Sequence, residues 1–205
     1  MNKQLITEDK KLKIPDLISI GVYTAVYFVM VTIATFGSNL LLPGFSYVFL
    51  PAVSALISGC IYMLMAAKVP KFGAITIMGT VVGLFLFSSG HFVLSLIAGV
   101  LCSLLADLIG KATAYKNKLW ILASYLVFSF GLMGPVLPLW FMKDTYIAKL
   151  EARGKDAAYI EGVFANINQG TFVIAVVSIL ICAVLGGVFG QKMMRKHFEK
   201  AGIVS

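Results

Sequence analysis

Residues 92–118 read FVLSLIAGVLCSLLADLIGKATAYKNK, a long apolar run that ends in a basic segment. The run from about 92 to 110 contains one charged residue, Asp107, and its length is close to the roughly 20 residues that a helix needs to cross a bilayer. Three lysines, Lys111, Lys116 and Lys118, follow it directly. Lysine and arginine are enriched on the cytoplasmic flanks of membrane helices. The stretch therefore predicts a spanning helix whose C-terminal end faces the cytoplasm.

Five further apolar stretches extend this pattern to the whole chain. We expect one all-α integral membrane domain over 1–205, a six-transmembrane-helix bundle with both termini cytoplasmic. The predicted spans are about 17–38, 46–67, 72–88, 92–110, 119–142 and 171–191, with an outer loop at 143–170.

The distribution of basic residues decides the orientation. The threading places 13 of the 17 Lys and Arg residues on the inner side: Lys3, Lys10, Lys11, Lys13, Lys68, Lys71, Lys111, Lys116, Lys118, Lys192, Arg195, Lys196 and Lys200. The other four lie in the outer loop beside four acids, which leaves that loop neutral. The net charge of +8 thus follows from the membrane orientation and does not indicate a nucleic-acid partner.

The chemistry-bearing residues needed for an enzyme are scarce. The end of a P-loop is suggested by Gly110-Lys111, but the Ser or Thr that should follow the lysine is missing, so the chain is not expected to hydrolyse ATP itself. Histidine occurs only at His91 and His197, and no GxSxG motif is present. We expect no enzyme, no cofactor and no metal site. The alternatives are a small helical-bundle membrane enzyme and a non-catalytic assembly or regulatory subunit.

Two segments are predicted to depart from plain spanning helices. Gly131, Gly134, Pro135 and Pro138 should kink or unwind the outer half of span 5, because proline removes a backbone donor and clashes with the preceding turn. The outer loop should form two short helices broken at Gly154, with Asp144 and Asp156 as N-caps. This loop either folds back over the bundle or lies on the membrane surface.

Asp107 and four small-residue pairs each allow two interpretations. Asp107 makes either an ion pair or helix-end contact near the cytoplasmic interface, or a coupling or partner contact. Small residues four apart let helices approach closely in lipid, either inside the bundle or against a partner. The pairs are Gly21 with Ala25, Gly79 with Gly83, Ala106 with Gly110, and Gly186 with Gly190.

The first span opens DLISIGVYTAVY over residues 16–27, and with the size and topology of the chain it resembles the substrate-binding S components of energy-coupling factor (ECF) transporters. More narrowly, the chain resembles the bacterial membrane-protein group labelled Trep_Strep or MptD-type. The resemblance implies a high-affinity substrate-binding subunit in the bacterial cell membrane that captures a vitamin or related micronutrient. Its partners would be a coupling transmembrane subunit and two cytoplasmic ATPases. The small-xxx-small motif that docks on the coupling subunit in that family corresponds to Gly21 and Ala25, with Gly where Ala is commonest.

The resemblance places the substrate pocket in the outer half of the bundle. The candidate substrate-binding residues available there are Asn39, Tyr47, His91, Trp140, Asn166, Asn168 and Gln169. Trp140 also suits the aromatic belt at the membrane interface, and His91 a solvated turn. The three residues at 166–169 also suit the start of span 6, where they would cap the helix.

Overall fold

The computed structural model describes residues 11–194 and 196, and every regular element in that range is helical. The basic residues Lys3, Lys10, Arg195 and Lys200 lie outside the described residues. The cytoplasmic placement of both termini therefore stays a prediction.

Nine α-helices follow one another along the described chain. They are α1 Ile14–Leu41, α2 Ser46–Lys68, α3 Ala74–Ser88, α4 Val93–Ala112, α5 Lys118–Ser129, α6 Pro138–Phe141, α7 Lys143–Ala152, α8 Ala157–Phe164 and α9 Gln169–Met193. Within the described range, α1, α2, α4 and α9 are long and apolar enough to cross a membrane, while α3 and the 118–133 segment are shorter apolar helices. The all-helical membrane character is confirmed, and the number of six spans stays a prediction.

The fifth predicted span is interrupted, as its glycines and prolines indicate. After α5 the chain tightens into a 3-10 turn at Phe130–Met133 and resumes as a helix only at Pro138. A side chain at Gly134 would meet the backbone of α4 at Leu94 and Ser95, so the break also lets the two segments pack closely. The predicted span 119–142 is thus a helix of about half that length followed by a packed, irregular segment.

The two ends of the bundle differ in sequence, and each is named for the segments that it carries. The basic end carries the 68–71 turn and the 113–117 loop, and the loop end carries the 143–170 segment. At the basic end the Lys71 Nζ lies 2.7 Å from Asp16 Oδ2, which ties the start of α1 to the α2–α3 turn. The same oxygen accepts a hydrogen bond from the Lys13 backbone amide and so fixes the first turn of α1.

Two buried clusters fill the bundle, one in each half. In the half toward the basic end, the Tyr62 hydroxyl lies 2.6 Å from Ser124 Oγ, and the Tyr125 hydroxyl donates to the Ala55 carbonyl. In the half toward the loop end, Val136 and Leu139 of the interrupted segment pack into the second cluster. The irregular chain after α5 is therefore part of the core.

Candidate functional site

A cavity of about 460 Å³ opens at the loop end, where α6, α8 and α9 meet. Its walls are mainly aromatic and apolar: Leu139, Trp140, Phe141, Phe164, Ile167 and Phe172, with Lys143, Asn168 and Gln169 as the polar lining residues. The Phe172 ring stands edge-on to Trp140 and Phe141, with centroids 5.6 and 5.2 Å away. Such a concave, mostly apolar site with few polar groups is typical of a small-molecule pocket.

Three of the seven predicted site residues line this cavity, and two of those are already engaged within the protein. The Trp140 Nε1 donates a hydrogen bond of 3.0 Å to the Asn168 carbonyl. The Asn168 side chain caps α9 by accepting from the Thr171 amide at 3.0 Å. Gln169, in the first turn of α9, has an exposed side chain. Gln169 is therefore the lining amide best placed to contact a ligand.

Tyr47 and Asn166 hold the 143–170 segment against the bundle. The Tyr47 hydroxyl lies 2.9 Å from the Tyr159 hydroxyl of α8, and Asn166 Nδ2 donates to the Gly44 carbonyl at 3.1 Å. Neither residue lines the cavity. They join α8 to the start of α2 and so fix one wall of the cavity.

His91 and Asn39 lie away from the cavity. The His91 Nδ1 is 3.0 Å from the Leu86 carbonyl, in the turn between α3 and α4. Burial lowers the pKa of the His91 imidazole below its usual value, which favours the neutral ring. The Asn39 Nδ2 donates to the Thr35 carbonyl one turn earlier on an exposed part of α1. The structure thus does not bring these two residues together with Trp140 and Gln169.

The residues missing from the sequence-based set are the aromatic walls. Phe141, Phe164 and Phe172 come from three different elements, and Lys143 Nζ lies 5.2 Å from the centre of the Phe164 ring. In the sequence, Phe141 adjoins Trp140, and Phe164 lies on the apolar face of a short helix in the outer loop. Lys143 is the one charged side chain of the described residues that lines the cavity.

The 143–170 segment folds back onto the bundle as two short helices. Gly154 between α7 and α8 has a φ of +72°, which favours glycine, and Asp156 caps α8 by accepting from the Tyr159 amide at 2.8 Å. The Arg153 guanidinium donates to the Gly90 carbonyl. Lys149 Nζ stands 4.3 Å over the Phe92 ring.

The predicted N-cap role of Asp144 is wrong. The helix α7 begins at Lys143, one residue before Asp144, so Asp144 lies in the first turn of the helix.

Asp107 is fully buried and makes a helix-end contact. Its Oδ2 accepts hydrogen bonds from the amides of Gly73 and Thr76 at 2.8 and 3.1 Å, and from the Thr76 hydroxyl at 2.8 Å. Its Oδ1 accepts from the Tyr115 hydroxyl at 2.5 Å. Burial and the Asp107 carboxylate raise the pKa of Tyr115, which keeps that hydroxyl a donor. The carboxylate therefore caps the start of α3 and anchors the 113–117 loop. The Lys111 Nζ lies instead 4.5 Å from the centre of the Phe72 ring.

The small-residue pairs divide into three that are covered and one that is open. An added Cβ at Gly79 or Gly83 would strike α4, one at Gly186 or Gly190 would strike α2, and one at Gly110 would strike the Tyr115 ring. At Gly21 an added Cβ would meet nothing within 4 Å, and Ala25 one turn later is also exposed. The three covered pairs pack inside the bundle, whereas Gly21 and Ala25 lie on an open surface of the described structure. Their surface on α1 is called the α1 small face below.

A family model described as hypothetical bacterial integral membrane protein (Trep_Strep) matches residues 14–200. No curated protein and no solved structure matches the chain.

Proposed function

The chain belongs to the Trep_Strep family of bacterial integral membrane proteins, and we propose that it is the substrate-binding membrane subunit of an ECF-type, ATP-driven importer. The observation that carries the proposal is the open α1 small face. The three other small-residue pairs pack against neighbouring segments inside the bundle. Gly21 and Ala25 instead leave a surface without bulky side chains, where the backbone of another helix can approach. The coupling subunit is the proposed occupant, and two cytoplasmic ATPases would supply the energy.

The proposal uses six crossings with both termini on the cytoplasmic side. Four helices have full spanning length, and the 15-residue α3 covers about 22 Å at 1.5 Å per residue. The α3–α4 turn and the packed segment after α5 would cross the rest of the bilayer. Bilayer thinning and buried irregular backbone accommodate such short crossings.

Cysteine labelling of intact cells tests this orientation. With Cys60, Cys102 and Cys182 replaced by serine, a new cysteine at Lys116 should resist a membrane-impermeant thiol reagent until the cells are opened. A new cysteine at exposed Lys155 in the 143–170 segment should react at once. Labelling of Lys116→Cys in intact cells would contradict the orientation, and with it the proposed substrate entry from outside.

The aromatic cavity is the proposed substrate site. Its volume of about 460 Å³ suits a small nutrient, and its rings offer flat apolar contacts while Gln169 and Lys143 offer hydrogen-bond donors. The 143–170 segment covers one wall and is held near its middle by the contact of Tyr159 with Tyr47 and by that of Arg153 with Gly90. Among the described residues no carboxylate lines this cavity, so the proposed substrate is neutral or anionic.

Ligand affinity tests the site and the function together. A small molecule that co-purifies with the chain in mild detergent is identified by mass spectrometry, and its affinity is then measured for variants. Trp140→Ala and Gln169→Ala should each weaken binding by about five- to 150-fold, because the first removes an aromatic wall and the second removes the lining amide that a bound ligand would bury. His91→Ala and Asn39→Ala serve as matched controls at the same end of the bundle and should change affinity less than about twofold.

The same experiment separates the alternatives. Unchanged affinity in both cavity variants would move the site elsewhere in the bundle. A chain that binds no small molecule yet is needed for a larger complex would favour an assembly subunit. Turnover of a lipid or peptide by the purified chain would favour a membrane enzyme.

A further inference from the structure

A second cavity, of about 560 Å³, opens at the basic end and has no part in the proposed substrate site. It lies between the end of α2, the 113–117 loop, the start of α5 and the end of α9. Met63, Ala66 and Ile121, all buried, form an apolar floor. Lys116, Lys118 and Gln191 stand at its polar rim. The cavity thus combines an apolar floor with positively charged side chains at its rim.

The positive charge of the rim has no counter-charge within the described part of the chain. Of the acids that the structure describes, the two nearest the basic end are both occupied, Asp16 by Lys71 and Asp107 by the start of α3 and Tyr115. No carboxylate among the described residues pairs with Lys116 or Lys118. An anion in this cavity would therefore meet two free ammonium groups.

The walls of the cavity are fixed independently of any ligand. The Tyr115 hydroxyl is anchored on Asp107, and this holds the loop that carries Lys116. On the opposite side Gln191 Nε2 donates to the Lys118 carbonyl at 2.7 Å, which joins the end of α9 to the start of α5. A site built this way loses little conformational entropy on binding.

In the proposed threading, the mouth of the cavity lies at the membrane boundary. Leu119 and Trp120, which follow Lys118 directly, are 75% and 48% exposed on the outside of the bundle. Tryptophan concentrates at membrane–water interfaces, and lysines beside it face the lipid headgroups. Basic pockets between helices at this level suit anionic lipid headgroups.

We infer that this cavity binds an anionic phospholipid, with Lys116 and Lys118 contacting the phosphate and the apolar floor taking the glycerol and the start of an acyl chain. Zwitterionic lipids would bind less well, since their own ammonium group would face the two lysines. The bound lipid would bridge the 113–117 loop and the end of α9 from the membrane side.

Native mass spectrometry of the full chain in mild detergent tests the inference. The affinities for phosphatidylglycerol and phosphatidylcholine with identical acyl chains are compared. Lys116→Gln with Lys118→Gln should weaken phosphatidylglycerol binding about 25-fold, at about fivefold for each lysine, and should change phosphatidylcholine binding little. Lys111→Gln with Lys192→Gln is the matched control, since it removes the same charge from the same end without touching the cavity lining.

Ala67→Trp provides a second variant that keeps every charge. Ala67 is half-buried in the cavity wall, so the indole should fill the space and weaken phosphatidylglycerol binding as strongly as the lysine pair. Equal loss in the cavity and control lysine pairs, or full binding by Ala67→Trp, would overturn the site in favour of general surface charge. Displacement of the lipid by millimolar inorganic phosphate would overturn the lipid as ligand and assign the rim to a soluble phosphate.

Discussion

Replacing Asp107 by alanine is expected to lower the free energy of unfolding by about 3–5 kcal/mol. The carboxylate accepts four hydrogen bonds in a fully buried position, from the Gly73 amide, the Thr76 amide and hydroxyl, and the Tyr115 hydroxyl. Each buried donor left without a partner costs about 1–3 kcal/mol, and the two hydroxyl groups can partly turn toward other acceptors. Unfolding in detergent followed by tryptophan fluorescence measures the loss.

Two variants calibrate this expectation. Tyr115→Phe removes only the hydrogen bond to Oδ1 and should cost about 1–2 kcal/mol. Asp144→Ala removes an exposed acid in the first turn of α7 and should change stability by less than about 0.5 kcal/mol. If Asp107→Ala unfolds like the wild type but no longer supports transport, the helix-end role is contradicted and the coupling role regains support.

The membrane helices were predictable because their signal is local. Runs of apolar residues, the basic turn at 68–71 and the lysines after α4 fix where helices begin and end to within a few residues. The break after α5 was predictable for the same reason, since Pro135 and Pro138 act on their own backbone. The two short helices around Gly154 also follow from residues close in sequence.

The loop-end cavity was only partly predictable, because its walls come from distant segments. Trp140 and Gln169 were candidates as polar or amphipathic residues near the outer surface. Phe164 and Phe172 resemble any other apolar residue in the sequence, and only the folding back of α8 and the start of α9 makes them a pocket. His91 does not line the cavity, because the tight α3–α4 turn directs its ring to the Leu86 carbonyl.

Asp107 shows a different limit. The sequence places Lys111 four residues later on the same helical face, which favours an ion pair. In the structure, the start of α3 offers unpaired backbone amides nearer to the carboxylate, and these donors bind it instead. Spacing along one helix cannot reveal donors that another helix supplies.

Substituting leucine at both Gly21 and Ala25 is expected to abolish ATP-driven uptake while leaving the fold and ligand affinity unchanged. The α1 small face is open in the bundle, so two leucines would add side chains that contact only lipid tails, and these are as apolar as leucine. The loop-end cavity is lined by residues of later helices and should bind with wild-type affinity. Uptake into cells, co-purification of the proposed coupling subunit, and ligand binding by the isolated chain are the three measurements.

Gly186→Leu with Gly190→Leu is the matched control, because the same change is made to the same kind of pair. There an added Cβ would press on the backbone of α2 at Ala55, Leu56 and Gly59, at a cost of about 1–3 kcal/mol for each site. This control should lose stability, ligand binding and uptake together, whereas the Gly21 and Ala25 variant should lose uptake alone. Normal uptake by the Gly21 and Ala25 variant would remove the docking role, because a partner helix that tolerates two leucines is not held at backbone distance. Loss of ligand binding with intact folding would instead connect the α1 small face to the substrate site.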